Sequence, residues 1–219
     1  EYVVSQREMF SKISDLEASF IIYRLAREKT PEILKGRETF SKFLSWAREI
    51  LLFIEQLDLE DINVRSLEGI QKSASIGYDV PPSINVLLEN IVLLRDAFHK
   101  ALLEKKSLGR GLTYLLAARY AAEADFQEFD RIFFCNFFYL HKTEETIIKG
   151  LCDRDKAFVF LQGDPREWSV LDGVCKKLSC NPVPDLKPAP DFDLTIQAGF
   201  DVHSQAALVR EALKKIKRH

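Results

Sequence analysis

FDRIFFCNFFYLHKTEETIIKGLCDRDKAFVFLQGDPREW, residues 129–168, decides the fold class of this chain. Two apolar runs, Ile132–Cys135 and Ala157–Leu161, flank a segment of helical character. Short continuous apolar runs suit strands buried on both faces. Thr143 is placed to cap the helix between them. Glu144 and Glu145 follow in its first turn, where the helix dipole favours negative charge. A strand, a helix and a strand at this spacing imply parallel neighbours with a right-handed crossover. The second run leads to a turn at Gly163-Asp164. The first ends Phe134-Cys135-Asn136-Phe137, without a carboxylate.

Before this stretch the period is helical. Phe10, Ile13, Leu16, Phe20 and Tyr23 recur at three- and four-residue steps and predict one helix face. Thr30-Pro31 punctuates and Gly36 breaks. Phe40, Phe43, Leu44, Ala47, Leu51, Ile54 and Leu57 mark a long amphipathic helix with Trp46 on its flank. Residues 58 to 82 read as loop, holding at most one short helix. Ser83 is a suitable N-cap for a helix to about Lys106, with Ile84, Leu87, Leu88, Ile91, Leu94 and Phe98 on its apolar face. Gly109-Arg110-Gly111 reads as a turn before a helix from Leu112 to Ala124.

After Asp164 the expected elements are a third strand at about 194–198 and a helix from Ser204 to Lys217. Asn181 to Asp191 holds Pro182, Pro184, Pro188 and Pro190, too many for a helix or a central strand, and reads as an extended connector. The expected fold class is therefore α/β, with a helical lobe over residues 1–125 and an α/β part over 126–219. Three parallel strands make a thin sheet, so further strands are expected beyond this sequence. A start at Glu1-Tyr2 without Met also reads as a piece of something longer.

The 219 residues suffice for one large domain or two small ones, and sixteen Phe against one Met indicate a core of rigid aromatics. A net charge of −2 excludes a globally basic nucleic-acid module, so any DNA contact must be local. Cys135, Cys152, Cys175 and Cys180 form no Cys-x-x-Cys pair and have no metal-finger spacing with a histidine. Cys135 and Cys152 lie among apolar residues and read as reduced core thiols, which fits a cytoplasmic setting. No apolar run reaches the ~18 residues of a membrane span.

Residues 129–168 resemble the ATPase core of superfamily 1 helicases, and more closely the AddB-type PD-(D/E)XK helicase-nucleases of double-strand-break repair. Phe40-Ser41-Lys42-Phe43-Leu44-Ser45-Trp46-Ala47, Ile54-Glu55-Gln56-Leu57-Asp58 and Gly109-Arg110-Gly111-Leu112-Thr113-Tyr114 are similar to that family too. The resemblance implies that residues 1–125 are a helical insertion and the remainder a partial P-loop-NTPase-like three-layer core. It also implies a parent exonuclease with a partner subunit, Mg²⁺ and an iron–sulfur cluster. The Cys175-x4-Cys180 pair does not match the family's cluster layout. Active relatives carry an Asp-Glu pair at the first strand end, for Mg²⁺ and for the attacking water. Here Cys135 and Asn136 stand there. Gly163-Asp164-Pro165-Arg166-Glu167 aligns with the helicase Gly-Asp-x-x-Gln, and Glu167 replaces the Gln that senses the terminal phosphate. A carboxylate there repels a triphosphate, and no Gly-x-x-x-x-Gly-Lys-Ser/Thr occurs.

The resemblance therefore implies a catalytically inactive region that positions DNA. The open alternatives are part of an active ATP-dependent helicase and a partner-binding scaffold without a DNA role. Lys105, Lys106 and Arg110, clustered at one inter-helix turn, are the candidate DNA contacts, although a solvated turn explains the same charges. Arg166 can meet phosphate and Trp168 can stack on a base or pack at a helix start. Asp164 can equally cap the next helix. Asp185-Leu186-Lys187 and Pro190-Asp191 spell nuclease-like motifs, but in the wrong order and off any expected strand. His99, His141, His203 and His219 are scattered and form no HExxH.

Overall fold

In the computed structural model, residues 1–63, 82–137, 139–180 and 198–216 are described. The chain divides into two compact units, Glu1–Pro182 and Val183–His219. The first is a helix-rich α/β unit with two small parallel sheets.

Helix α1 (Tyr2–Ser5) leads to strand β1 (Ser11–Lys12). The Ser14 hydroxyl then accepts the Glu17 N–H at 3.3 Å and starts α2 (Asp15–Lys29). Thr30 closes α2, Pro31 opens a 3-10 turn (Pro31–Leu34), and Gly36 with φ +79° completes the break. Helices α3 (Phe40–Leu59) and α4 (Pro82–Glu104) follow. Strand β2 (Ser107–Leu108) pairs in parallel with β1, Ser11 opposite Ser107, and α5 (Arg110–Tyr120) comes next. Helix α2 packs on α3 and α4, and α3 on α5. Phe43, Ile22, Ile54, Leu94 and Leu102 are fully buried between them.

Four local expectations are corrected. The predicted face of the first helix is found only in part: Phe10 and Ile13 precede α2 and Leu16 and Phe20 are exposed, while Tyr23 is buried as expected, together with Ala18, Ile21, Ile22 and Ala26. The pairing of β1 with β2 holds the preceding residues extended, so the helical period begins only after Ser14. Residues 58 and 59 belong to α3, not to a loop, and Asp58 is buried. The loop expected from 64 to 81 lies outside the described residues. Helix α4 begins at Pro82, which puts Ser83 inside its first turn. Arg110 and Gly111 form the first turn of α5 with Gly109 as N-cap, not a turn before it.

The second sheet carries the decisive stretch. Strand β3 (Ile132–Cys135) and β4 (Ala157–Phe160) run parallel, Ile132 opposite Ala157 and Cys135 opposite Phe160, with α6 (Lys142–Asp153) between them in sequence. This is the expected parallel pair. The expected burial on both faces is not found. Ile132, Phe134, Ala157 and Val159 turn toward the core, whereas Phe133, Phe158 and Phe160 are exposed. Helix α6 packs on β4, α3, α5 and α7 (Ser169–Leu178). Nothing among the described residues of this unit covers the other face, so the period-two pleat shows as inside and outside although both sides are apolar.

Helix α6 is not capped by Thr143. It starts at Lys142 with N-cap His141, whose N–H is accepted by Glu144 Oε2 at 3.0 Å. In the second unit α8 spans Val202–Ile216, earlier than the expected start at Ser204. Asp201 caps it: its carboxylate accepts the Ser204 N–H at 2.7 Å, and the Ser204 hydroxyl accepts the Asp201 N–H at 2.9 Å. Val202, Val209 and Leu213 on this helix are exposed. The expected strand at 194–197 and the proline-rich connector from 181 to 191 lie outside the described residues, and Ala198 is not in a strand.

Candidate functional site

The carboxyl ends of β3 and β4 gather the motif positions. Cys135 ends β3 with its side chain exposed. Asn136 follows in the left-handed region, φ +59°, and its N–H bonds to the Phe160 carbonyl at 2.9 Å. Asn tolerates this conformation better than most side chains. Its role is thus to end the strand.

Past β4, Gly163 adopts φ +132°. A Cβ there would lie 3.0 Å from Leu171 Cδ2 and 3.2 Å from the Trp168 ring, so both conformation and space require glycine. The Asp164 carboxylate accepts the Arg166 backbone N–H at 2.9 Å and the Arg166 guanidinium from Nη2 at 2.6 Å and Nε at 3.0 Å. The guanidinium contacts first, and the backbone one second, hold Asp164 well down, at about 2. Its carbonyl accepts the Glu167 and Trp168 N–H groups, both at 3.0 Å. Asp164 therefore organises a tight turn over 164–168 and does not cap α7, whose N-cap is Trp168. The Trp168 ring lies against Gly163 and is half exposed.

This donor set does not fit a Mg²⁺–nucleotide. Cys135 and Asn136 offer a thiol and an amide where Mg²⁺ takes carboxylate oxygens. Burial pushes the Cys152 and Cys180 thiols up, as suits thiols packed among apolar side chains. Among the described residues no three His, Cys, Asp or Glu side chains group to hold a metal ion. Asp185, Lys187, Pro190 and Asp191 lie outside the described residues.

The four candidate cations each meet a carboxylate. Lys105 pairs with Glu17, Lys106 with Glu8 at 2.8 Å, Arg110 with Glu55 at 3.0 Å and Arg166 with Asp164 at 2.6 Å. Lys105, Lys106 and Arg110 do share one end of the helical lobe, and Arg166 sits at the sheet end. Exposed pairs of this kind are weak, so a phosphate can compete for each cation.

Two polar clusters were not anticipated from the sequence. Asp58 accepts from Arg95 Nε at 2.7 Å and pairs with His99 Nε2 at 2.9 Å, while Arg95 Nη1 donates to the Ile62 carbonyl at 2.5 Å. The available signal was an acidic residue inside the apolar run Leu57-Asp58-Leu59, with Arg95 and His99 one helical turn apart beside Leu94 and Phe98. The second is Glu60, which accepts the Tyr139 hydroxyl at 2.7 Å and pairs with His141 Nδ1 at 2.6 Å. In each cluster both partners meet the same carboxylate, Arg95 and His99 at Asp58 and Tyr139 and His141 at Glu60. An open cleft of about 1200 Å³ runs along α1, α5 and β3, lined by Tyr2, Phe10, Tyr114, Phe126, Phe129 and Phe134 among others. Comparison with family models, curated proteins and solved structures finds no match.

Proposed function

We propose that this chain is a catalytically silent, helicase-like region that positions DNA within a larger helicase-nuclease of double-strand-break repair, a partial P-loop-NTPase-like core stripped of its phosphate chemistry. One arrangement carries this reading. Parallel β3 and β4, linked through α6, lead to Asn136 and Asp164, and both residues serve turns, Asn136 at φ +59° and Asp164 joined to Arg166. In this reading ATP and nuclease chemistry, with any Mg²⁺ or iron–sulfur cluster, belongs to other parts of the parent. The chain then works in the cytoplasm beside a partner subunit.

The test has two parts. With ATP and Mg²⁺ the purified chain should release no phosphate above a denatured control. It should also bind a labelled single-stranded oligothymidylate weakly, losing affinity between about 50 and about 200 mM salt. Phosphate release abolished by Asp164→Asn would overturn the silent core in favour of an active helicase. A second reading, a partner-binding scaffold without a DNA role, draws on the carboxylate partners of Lys105, Lys106, Arg110 and Arg166. No oligonucleotide binding at low salt would favour it.

A further inference from the structure

The outer face of the β3–β4 sheet presents an ordered row of groups. Alternation along the strands puts Phe133 and Cys135 on the same side as Phe158 and Phe160, and the register sets Phe133 beside Phe158. The Phe133 and Phe158 rings stack at 5.9 Å between centroids with 19° between planes, and Phe160 lies 5.8 Å from Phe133. The three are 59%, 42% and 55% exposed, unusual for phenylalanine. At the amino end of the face stand two cations. The Arg131 guanidinium lies 5.4 Å from the Phe158 centroid, with Asp155 at 3.2 Å. Lys156 immediately precedes β4, its carbonyl accepting the Ile132 N–H at 3.0 Å, and alternation from Phe158 assigns it to this side. Among the described residues it makes no ion pair.

We propose that this face is a platform for single-stranded nucleic acid, with bases stacked on Phe133, Phe158 and Phe160 and backbone phosphate held by Arg131 and Lys156. The proposal rests on the DNA-positioning reading and names the surface that does it. Aromatic rings stack with any base, and neighbouring cations track the phosphates. Of the two cations here, Arg131 pairs with Asp155, and Lys156 has no carboxylate partner among the described residues. An apolar protein layer is the competing occupant, since parallel sheets are commonly covered on both sides. Such a layer would draw Lys156 out of water without a carboxylate to meet it. The earlier candidates Lys105, Lys106, Arg110 and Arg166 have their carboxylates in place, whereas Lys156 does not.

The experiment titrates a fluorescein-labelled oligothymidylate with the full chain by anisotropy at several salt concentrations. The variants are Phe133→Leu/Phe158→Leu together and Lys156→Gln. Leucine keeps an apolar surface but has no π face, and these exposed positions leave no cavity, so the thermal midpoint serves as the control of folding. The double Leu variant should bind about ten-fold or more weakly at an unchanged midpoint. Lys156→Gln should reduce the slope of log affinity against log salt by about 0.7. Wild-type binding with an undiminished double variant would overturn the platform and leave DNA positioning standing. A wild type that does not bind at low salt would overturn both. A chain that fails to bind but sediments as a dimer, dissolved by Phe158→Asp, would assign the face to protein and also overturn both.

Discussion

Asp58 lies 2% exposed between α3 and α4, with its two oxygens taken by Arg95 and His99. The approach is close from a third side as well. A Cβ on Gly111 would lie 2.8 Å from the Asp58 Cβ and 3.0 Å from the Glu55 Cα, so only glycine lets α5 come this near. Removing one partner of a buried charged pair leaves the other uncompensated. Asp58→Ala should therefore cost about 3–5 kcal/mol in urea unfolding. A loss below about 1 kcal/mol would show that Arg95 finds water or another acceptor. Glu60 gives a pH dependence. Burial pushes its carboxyl up, but the His141 and Tyr139 hydrogen bonds outweigh this and set it below its ordinary value. A lowered carboxylate contributes stability above its unfolded pKa, about 4.3, and loses it as pH falls through the folded value. Between about pH 4.5 and 3 the wild-type urea midpoint should fall more steeply than that of Glu60→Gln. Parallel curves would remove the contribution.

Helix α3 ends with a complete account of its carbonyls. Gln56 accepts from Glu60, Leu57 from Ile62 and Asp58 from Asp61. The Leu59 carbonyl is left, and the Thr143 hydroxyl of α6 donates to it at 2.9 Å. Thr143 is thus a clamp between elements where local spacing suggested a cap. Its neighbour Glu145 joins Lys142 at 2.8 Å and Lys177 at 3.5 Å, tying α6 to α7. Thr143→Val keeps the shape and orphans one buried acceptor. It should cost about 1–3 kcal/mol, measured by chemical denaturation. A neutral result would mean that the Leu59 carbonyl is satisfied by water.

On the scale of the molecule, the strands β3 and β4 share a unit with the helices before them. Ile132, Phe134 and Ala157 pack into the same core as Phe43, Ile54 and Leu151, so the compact unit runs across residue 125. Its buried clusters contain no described residue beyond 180. A chain ending at Pro182 should therefore keep its cooperative thermal transition within a few degrees of the full chain. A broad transition, or a midpoint lower by more than about 8 °C, would show that residues 183–219 complete the core.

The sequence by itself determined the helices α3 and α4, the parallel β3–α6–β4 unit and the break at Thr30-Pro31 and Gly36. These rest on periodicity and on residues whose backbone preferences act locally. It also determined that no carboxylate stands at the end of β3, where Cys135 and Asn136 follow, since that is a matter of residue identity. Only the tertiary structure decided which side chains of an apolar run meet another layer. Phe133 and Phe134 are identical in composition, yet one is exposed and the other packed, because the described helices lie on one side of the sheet. It alone brought Asp58 to Arg95 and His99, and Thr143 to Leu59, across separations of 37, 41 and 84 residues. Contacts at that range depend on where whole helices come to rest, and no local pattern encodes it.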